Sequence, residues 1–302
     1  MKLFITGVSG MLGNRLARLA AANHQVWGSY SSFPLSMTKV KSFAMKLEDE
    51  AQVRELALGL RPEVIVHTAA LTDVDQCERD PDRAYRINVQ GTETLAMVAE
   101  RLGAKLVYIS TDYVFDGKRG DYVETDSPCP VNVYGRTKLG GEEMVRSRLP
   151  GSLVIRTSIF GFNIQPKTGM VESVMNSLEK GKSLTRFSDQ FSTPIYTGDL
   201  SRLVLGLLEH GSTGLFHVGG GEKVSRYSFA LKIAKLFSLP QEGVRPIPFK
   251  HLEGLAERPR DSSLYGKKIE DHIGVRLPEV EEGLMRLKED FKLHLESRTS
   301  RD

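Results

Sequence analysis

The sequence predicts an α/β fold: a doubly wound parallel sheet of Rossmann type with a smaller C-terminal substrate-binding domain. Three observations lead there. Over roughly the first 157 residues, short apolar runs alternate with helix-like segments, the pattern of a parallel sheet covered on both faces. Directly after the first run, Gly7, Gly10 and Gly13 open a leucine- and alanine-rich segment. Past residue 157 the alternation gives way to stretches rich in Gly, Pro, Ser, Thr and Asn, which calls for a second body.

The elements follow in order. KLFIT (2–6) reads as a strand ending at glycine, and residues 11–22 carry helical spacing. HQVWGSY (24–30) is a second strand, residues 49–60 a helix, and EVIVHTAA (63–70) a buried strand. Asp80-Pro81 opens a helix that runs to Gly103, and KLVYIS (105–110) follows as a strand. Residues 133–148 are helical, and SLVIRTS (152–158) is the next strand. Beyond it, 159–169 and 185–196 read as loops, 170–180 and 199–209 as helices, and GLFHVGG (214–220) as a strand. Residues 240–262 hold four prolines, 277–295 form a terminal helix, and ESRTSRD frays. The dinucleotide-binding domain is expected over 1–157 plus about 197–222, and the substrate-binding domain over about 158–196 and 223–302.

Composition narrows the function classes. The chain has 302 residues, 40% apolar and 26% charged, which excludes a disordered or collagen-like protein and supports a large core. Two cysteines, Cys77 and Cys129, cannot build a disulfide framework, so a reducing cytoplasm is the expected location. The seven histidines show no HExxH spacing and no metal site is expected; a need for Mg2+ has no support in the residues. The net charge of +3 comes without a Lys/Arg block, so no nucleic-acid partner is expected. No apolar run approaches the ~20 residues that cross a bilayer, so no membrane partner is expected either. A homodimer is left open.

Two motifs carry chemistry. ITGVSGMLGNRL places Gly7, Gly10 and Gly13 between a strand and a helix, where residues without Cβ permit a tight turn and close backbone approach to a pyrophosphate. The second strand ends Gly28-Ser29-Tyr30-Ser31-Ser32, without the acid that binds a ribose 2′-hydroxyl, and Arg15, Lys39 and Lys41 offer positive charge. NADP(H) is therefore expected over NAD(H). Further on, VYGRTKLGGEE sets Tyr134 four residues before Lys138, on one helical face, where a cation is expected to lower the phenol pKa. Ser110 and Thr111 close a strand at the edge where doubly wound sheets keep their functional groups, and could orient a substrate carbonyl.

These residues resemble the extended short-chain dehydrogenase/reductases, in particular the dTDP-4-dehydrorhamnose reductase family. The likeness runs through TGVSGMLG (6–13), VIVHTAALTDVDQCE (64–78), INVQGT (87–92), STDYVFDG (110–117), PVNVYGRTKLGGEE (130–143), IRTSIFG (155–161), SDQFSTP (188–194) and ERPRDSSL (257–264). It implies an NAD(P)H-dependent reductase of a 4-keto-6-deoxy nucleotide sugar, serving nucleotide-sugar and polysaccharide biosynthesis. It implies Thr111, Tyr134 and Lys138 as the catalytic triad, with Asn88 steadying the active-site helix. The implied cofactor residues are Gly7, Gly10, Met11, Leu12, Gly13, Ser29, Leu47, Ala69, Ala70, Leu71, Asn88 and Ser110, together with Tyr134 and Lys138. Thr72, Asp112, Tyr113, Arg156 and Arg258 are implied at the substrate, Arg258 at its diphosphate.

The chain departs from the family pattern at Ile159, where tryptophan is usual, at Lys46, where an aspartate is common, and along FNIQPKTGMVESVM. Gly140 and Gly141 in mid-helix imply close packing there. Asp112-Tyr113 stands where dehydratases carry Asp-Glu, which favours plain carbonyl reduction. A nucleotide-sugar 4-epimerase, and a non-catalytic NADP-binding regulatory subunit resembling that of methionine adenosyltransferase, remain as alternatives.

Overall fold

The computed structural model describes residues 1–250 and 253–299, with the side chains of 292–299 left aside. In chain order its strands are β1 (Lys2–Thr6), β2 (Gln25–Tyr30), β3 (Val40–Ala44), β4 (Val64–His67), β5 (Lys105–Ile109), β6 (Leu153–Arg156) and β7 (Ile159–Phe160). Then come β8 (Leu184–Phe187), β9 (Phe191–Ser192), β10 (Ile195–Tyr196), β11 (Gly214–His217), β12 (Val224–Ser225) and β13 (Val244–Ile247). The helices are α1 (Met11–Ala20), α2 (Glu50–Leu60), α3 (Val74–Arg79), α4 (Pro81–Tyr85), α5 (Gly91–Leu102) and α6 (Val133–Arg148). They continue as α7 (Met170–Glu179), α8 (Thr197–Glu209), α9 (Arg226–Leu236), α10 (Lys267–Ile273) and α11 (Val280–Thr299).

Seven strands form one sheet in the order β11-β6-β5-β4-β1-β2-β3, every pair parallel. Chain order runs outward in both directions from the β1/β4 junction, so that junction is the topological switch point where such sheets bind ligands. Register is even across it: Thr6 pairs with Ser29 on one side and His67 on the other. The predicted strands are apolar because both sheet faces are covered. One core joins Leu3, Ile5, Val66 and Val107 to Leu16 of α1 and Val204 of α8. The opposite core joins Phe4, Ile65 and Leu106 to Val53 of α2, Leu95 of α5 and Val145 of α6.

A third core holds the remaining body together, with Phe160, Val171 and Val174, Leu184, Phe229 and Ile233, Val244 and Leu284 at its centre. Ile269 and Leu277, which the boundary near 223 assigns to this second body, lie instead in a core of the large sheet.

Three local differences from the sequence reading have physical causes. The segment after Asp80 is not one helix: α4 gives way to a π-helical turn (Arg86–Gln90) before α5, and a 3.6-residue apolar period does not reveal the extra residue. Strand β3 is an edge strand with only its first residue buried, so it lacks the apolar run that marked its neighbours. Helix α11 continues through Thr299, past the expected end at 295; of the frayed tail, 300–302 lie outside the described residues. The glycine pair in α6 does mark close packing, since a Cβ on Gly141 would stand 2.2 Å from the Tyr108 hydroxyl oxygen.

Candidate active site

The C-terminal ends of β1, β4 and β5 are neighbours, and each hands a short turn to the same edge of the sheet. At β1, Gly7 adopts φ +74°, a left-handed conformation that glycine takes without strain. A Cβ on Gly13 would stand 2.4 Å from the Gly7 carbonyl oxygen, so α1 starts flush against the turn. Gly10 is its N-cap, with no side-chain cap and no acidic residue in the first turn. The first N–H groups and the positive end of the helix dipole therefore suit an anionic ligand such as a pyrophosphate. Gly13→Ala should force the turn outward at an overpacking cost of about 1–3 kcal/mol and weaken binding of the expected dinucleotide roughly tenfold or more. Titrating NADPH against both proteins checks this, and equal affinities would refute the cradle.

Of the other residues expected at the cofactor, Ala69 lies against that turn, a Cβ on Gly7 standing 2.9 Å from its Cα. The Ser29 carbonyl accepts the Val8 N–H at 2.9 Å, and Ala69, Ala70 and Leu71 follow β4 as a half-buried strip. Leu47 is buried against Gly91, where a Cβ would meet its own at 2.9 Å. Asn88, in the π-helical turn, accepts the Leu71 N–H (2.8 Å) and donates to the Leu71 carbonyl (3.1 Å) and Thr137 hydroxyl (3.0 Å). One amide thus ties the β4 turn to α6. Behind it, His67 bridges the Thr6 (2.8 Å) and Thr92 (3.0 Å) hydroxyls, and burial holds its pKa down at about 3, so the ring is neutral. Arg15 does not face the cofactor edge as expected: it pairs with Asp290 of α11.

At the end of β5, the Thr111 hydroxyl donates to Asp112 (3.1 Å) and accepts the Tyr113 N–H (3.1 Å). Tyr134 enters in the first turn of α6, whose N-cap Asn132 accepts the Gly135 N–H at 2.8 Å. A Cβ on Gly135 would stand 2.2 Å from the Tyr113 carbonyl oxygen, so the helix start and the β5 turn touch. The Tyr134 ring meets Tyr113 edge-on, with centroids 6.1 Å apart, beside Cys77 and Val133. One helical turn later, Lys138 Nζ donates to the Ile109 carbonyl (2.7 Å) and lies 4.0 Å above the Tyr108 ring.

The electrostatics correct one expectation. Lys138 does not lower the Tyr134 pKa here. Burial drives it above its ordinary value; a hydrogen bond with Thr111 works against the shift, while the charges of Asp112, Cys77 and Tyr113 add to it. Burial also pulls Lys138 down to about 7, opposed by the Glu142 carboxylate. The phenol therefore keeps its proton through neutral pH, and burial makes it a weaker acid than a free phenol.

The residues expected at the substrate are placed unevenly. Tyr113 is half-buried, and Thr72 is exposed, accepting from Lys167 at 3.3 Å. Gln165 of the same loop donates to Ser9 at 2.9 Å, so the segment that departs from the family pattern arches over the glycine turn. Asp112 is buried: Ser262 donates to it at 2.5 Å, and burial raises its pKa to about 6. It supports the site from beneath.

Arg156 is not a substrate contact, being 1% exposed and paired with Glu142 at 2.7 Å. Arg258 is already engaged, its two terminal nitrogens on Asp75 at 2.6 and 2.7 Å, a fork that also holds the Asp75 carboxyl below its usual range. Ser110, expected at the cofactor, is buried and donates to Glu142 at 2.5 Å.

Sequence reading missed Glu142, although its i+4 spacing from Lys138 put it on the same helical face. It also missed Arg226, for which no local pattern gave a signal. Arg226 lines a cavity of about 200 Å³ with Met11, Ile159, Ser192, Pro194 and Phe229, between the sheet edge and the second body. A larger hollow, about 580 Å³, lies among Arg15, Asp199, Arg202 and Arg286 and includes none of the triad. Among the described residues, no cluster of three or more His, Cys, Asp or Glu could hold a metal ion. No helix there is long and apolar enough to cross a membrane.

Comparison with known proteins adds four findings. Residues 1–293 match the family described as RmlD substrate binding domain. The chain is 33% identical over 300 residues to a probable low-salt glycan biosynthesis reductase, Agl14, of Haloferax volcanii, covering 96% of this chain and 98% of that one. It is 33% identical over 288 residues to methionine adenosyltransferase 2 subunit beta of Pongo abelii, covering 92% and 84%. Among solved structures it is similar to dTDP-4-dehydrorhamnose reductase of Bacillus anthracis in complex with NADP. There the TM-score is 0.83 and the identity 30%, covering 96% of this chain and 100% of that one.

Proposed function

The chain belongs to the RmlD substrate binding domain family, and on that premise we propose that it is an NAD(P)H-dependent reductase of a 4-keto-6-deoxy nucleotide sugar. The observation that carries this reading is the meeting of Thr111, Tyr134 and Lys138 at the β5 edge, next to an α1 terminus without side-chain cap or acid. The glycine turn, the strip from Ala69 to Leu71 and the Asn88 anchor fit a dinucleotide. When bound, the reduced nicotinamide supplies hydride.

The chain's own residues do the rest. Thr111 orients the C4 carbonyl, and Tyr134, kept protonated by burial, gives its proton to the carbonyl oxygen as negative charge develops there. Lys138, fixed on the Ile109 carbonyl, stands ready for a ribose hydroxyl. Tyr113 beside Asp112 supplies no second carboxyl acid, so elimination of water is not favoured. Ser29 within β2 and Ser31 and Ser32 after it place no carboxylate against a 2′-phosphate, which supports NADPH over NADH.

Mixing the protein with a 4-keto-6-deoxy nucleotide sugar and either cofactor tests both readings. The expected result is one NADPH oxidised per sugar reduced, with a lower KM for NADPH than for NADH. Isomerised sugar without net cofactor consumption would instead make it a 4-epimerase. The likeness to methionine adenosyltransferase 2 subunit beta favours one further reading, a binding subunit without turnover. NADPH binding with no oxidation of it by any keto-sugar, and a stable complex with a second protein, would establish that one.

A further inference from the structure

The arginines around the cleft differ in one respect: whether a carboxylate already holds them. Arg156 is held by Glu142, Arg258 by Asp75 and Arg260 by Asp189. Arg226 has no carboxylate within ion-pair distance among the described residues, although it is half-buried and lines the cavity beside Met11 and Ile159.

Its placement is fixed by local chemistry. It is the first residue of α9, where Ser225 and Ser228 cap each other's N–H groups at 3.0 Å, and its own N–H donates to the Gln190 carbonyl at 2.9 Å. Its charge is felt by Asp112, the residue after Thr111. A second guanidinium, Arg186 of β8, feels that charge; it bonds the Thr185 carbonyl and Ser173 hydroxyl, and its Nε is buried without a partner among the described residues. Two neighbouring cations, partly desolvated and without a counter-charge, are costly unless an anion completes them.

We infer that Arg226, backed by Arg186, receives an anionic oxygen of the substrate, phosphoryl or carboxylate, in the cavity beside Ile159. This takes over the part that the resemblance implied for Arg258, and it rests on the nucleotide-sugar reading. An arginine matches either oxyanion through paired N–H donors. It also makes this position a determinant of which sugar nucleotide the cleft selects.

The experiment is calorimetric titration of NADPH-loaded wild type, Arg226→Gln and Arg226→Lys with dTDP, UDP and UDP-glucuronate, with NADPH affinity and Tm as folding controls. The expected result is a loss of about 10- to 100-fold in nucleoside diphosphate affinity for Arg226→Gln, partly restored in Arg226→Lys, with NADPH affinity unchanged. If dTDP and UDP bind equally to wild type and variant while UDP-glucuronate alone weakens, the anion is the sugar carboxylate and the inference stands in that form. Equal affinity of wild type and Arg226→Gln for all three overturns the inference and leaves the nucleotide-sugar reading intact. A wild type that binds none of the three overturns both.

Discussion

Tyr134→Phe is expected to lower kcat by about 10²–10⁴-fold, the ordinary contribution of a positioned proton donor, and to leave NADPH affinity within about twofold. The phenylalanine ring keeps its packing beside Cys77, Ala84 and Val133 and its edge contact with Tyr113, so stability should change by no more than about 1 kcal/mol. The effect should not be rescued by pH. Burial raises the Tyr134 pKa, so wild type holds the phenolic proton across the neutral range, and Phe has none to give at any pH. Steady-state NADPH oxidation with the keto-sugar nucleotide, paired with a fluorescence titration of NADPH, separates chemistry from binding. Turnover within tenfold of wild type would remove Tyr134 from the role of donor.

The features that were legible in the sequence are local ones. The first strands are continuous apolar runs because both sheet faces are covered, and the Gly7/Gly10/Gly13 turn is visible because only glycine tolerates those contacts. Tyr134 and Lys138 share a helical face by spacing alone, and Thr111 follows a strand whose end a run of apolar residues announces. What escaped depends on partners far along the chain. Arg258 meets Asp75 across 183 residues, and nothing near either one reveals that the guanidinium is already occupied. The family resemblance implies Arg156 at the substrate; only the packing of α6 on β5 and β6 shows that its partner is Glu142. The pKa of Tyr134 escaped because burial sets it, and i,i+4 spacing brings a lysine near without saying how deeply the phenol is buried.

Glu142→Gln carries the second large effect, and it separates stability from chemistry. The Glu142 carboxylate accepts from Arg156 Nε (3.0 Å) and Nη2 (2.7 Å) and from the Ser110 hydroxyl (2.5 Å), with every group nearly inaccessible to water. It therefore joins α6, β5 and β6 at the level of Thr111, as a positioning residue one helical turn beyond Lys138. Neutralising it leaves the Arg156 charge buried and unpaired, which should cost about 3–5 kcal/mol, read as a lower urea midpoint. Burial draws the Lys138 pKa down, and the same carboxylate opposes it, leaving the ammonium at about 7 with Glu142 in place. Without it the ammonium loses its proton at lower pH, so the alkaline limb of kcat/KM should move to lower pH. The pair Glu142→Leu with Arg156→Met removes both charges and should recover most of the lost stability, because neither ion is then left buried alone. It should not recover the pH limb, since Lys138 still lacks its carboxylate. A Glu142→Gln protein as stable as wild type would show that Arg156 does not depend on this partner. Lost stability with an unmoved pH limb would confine Glu142 to holding the strands together.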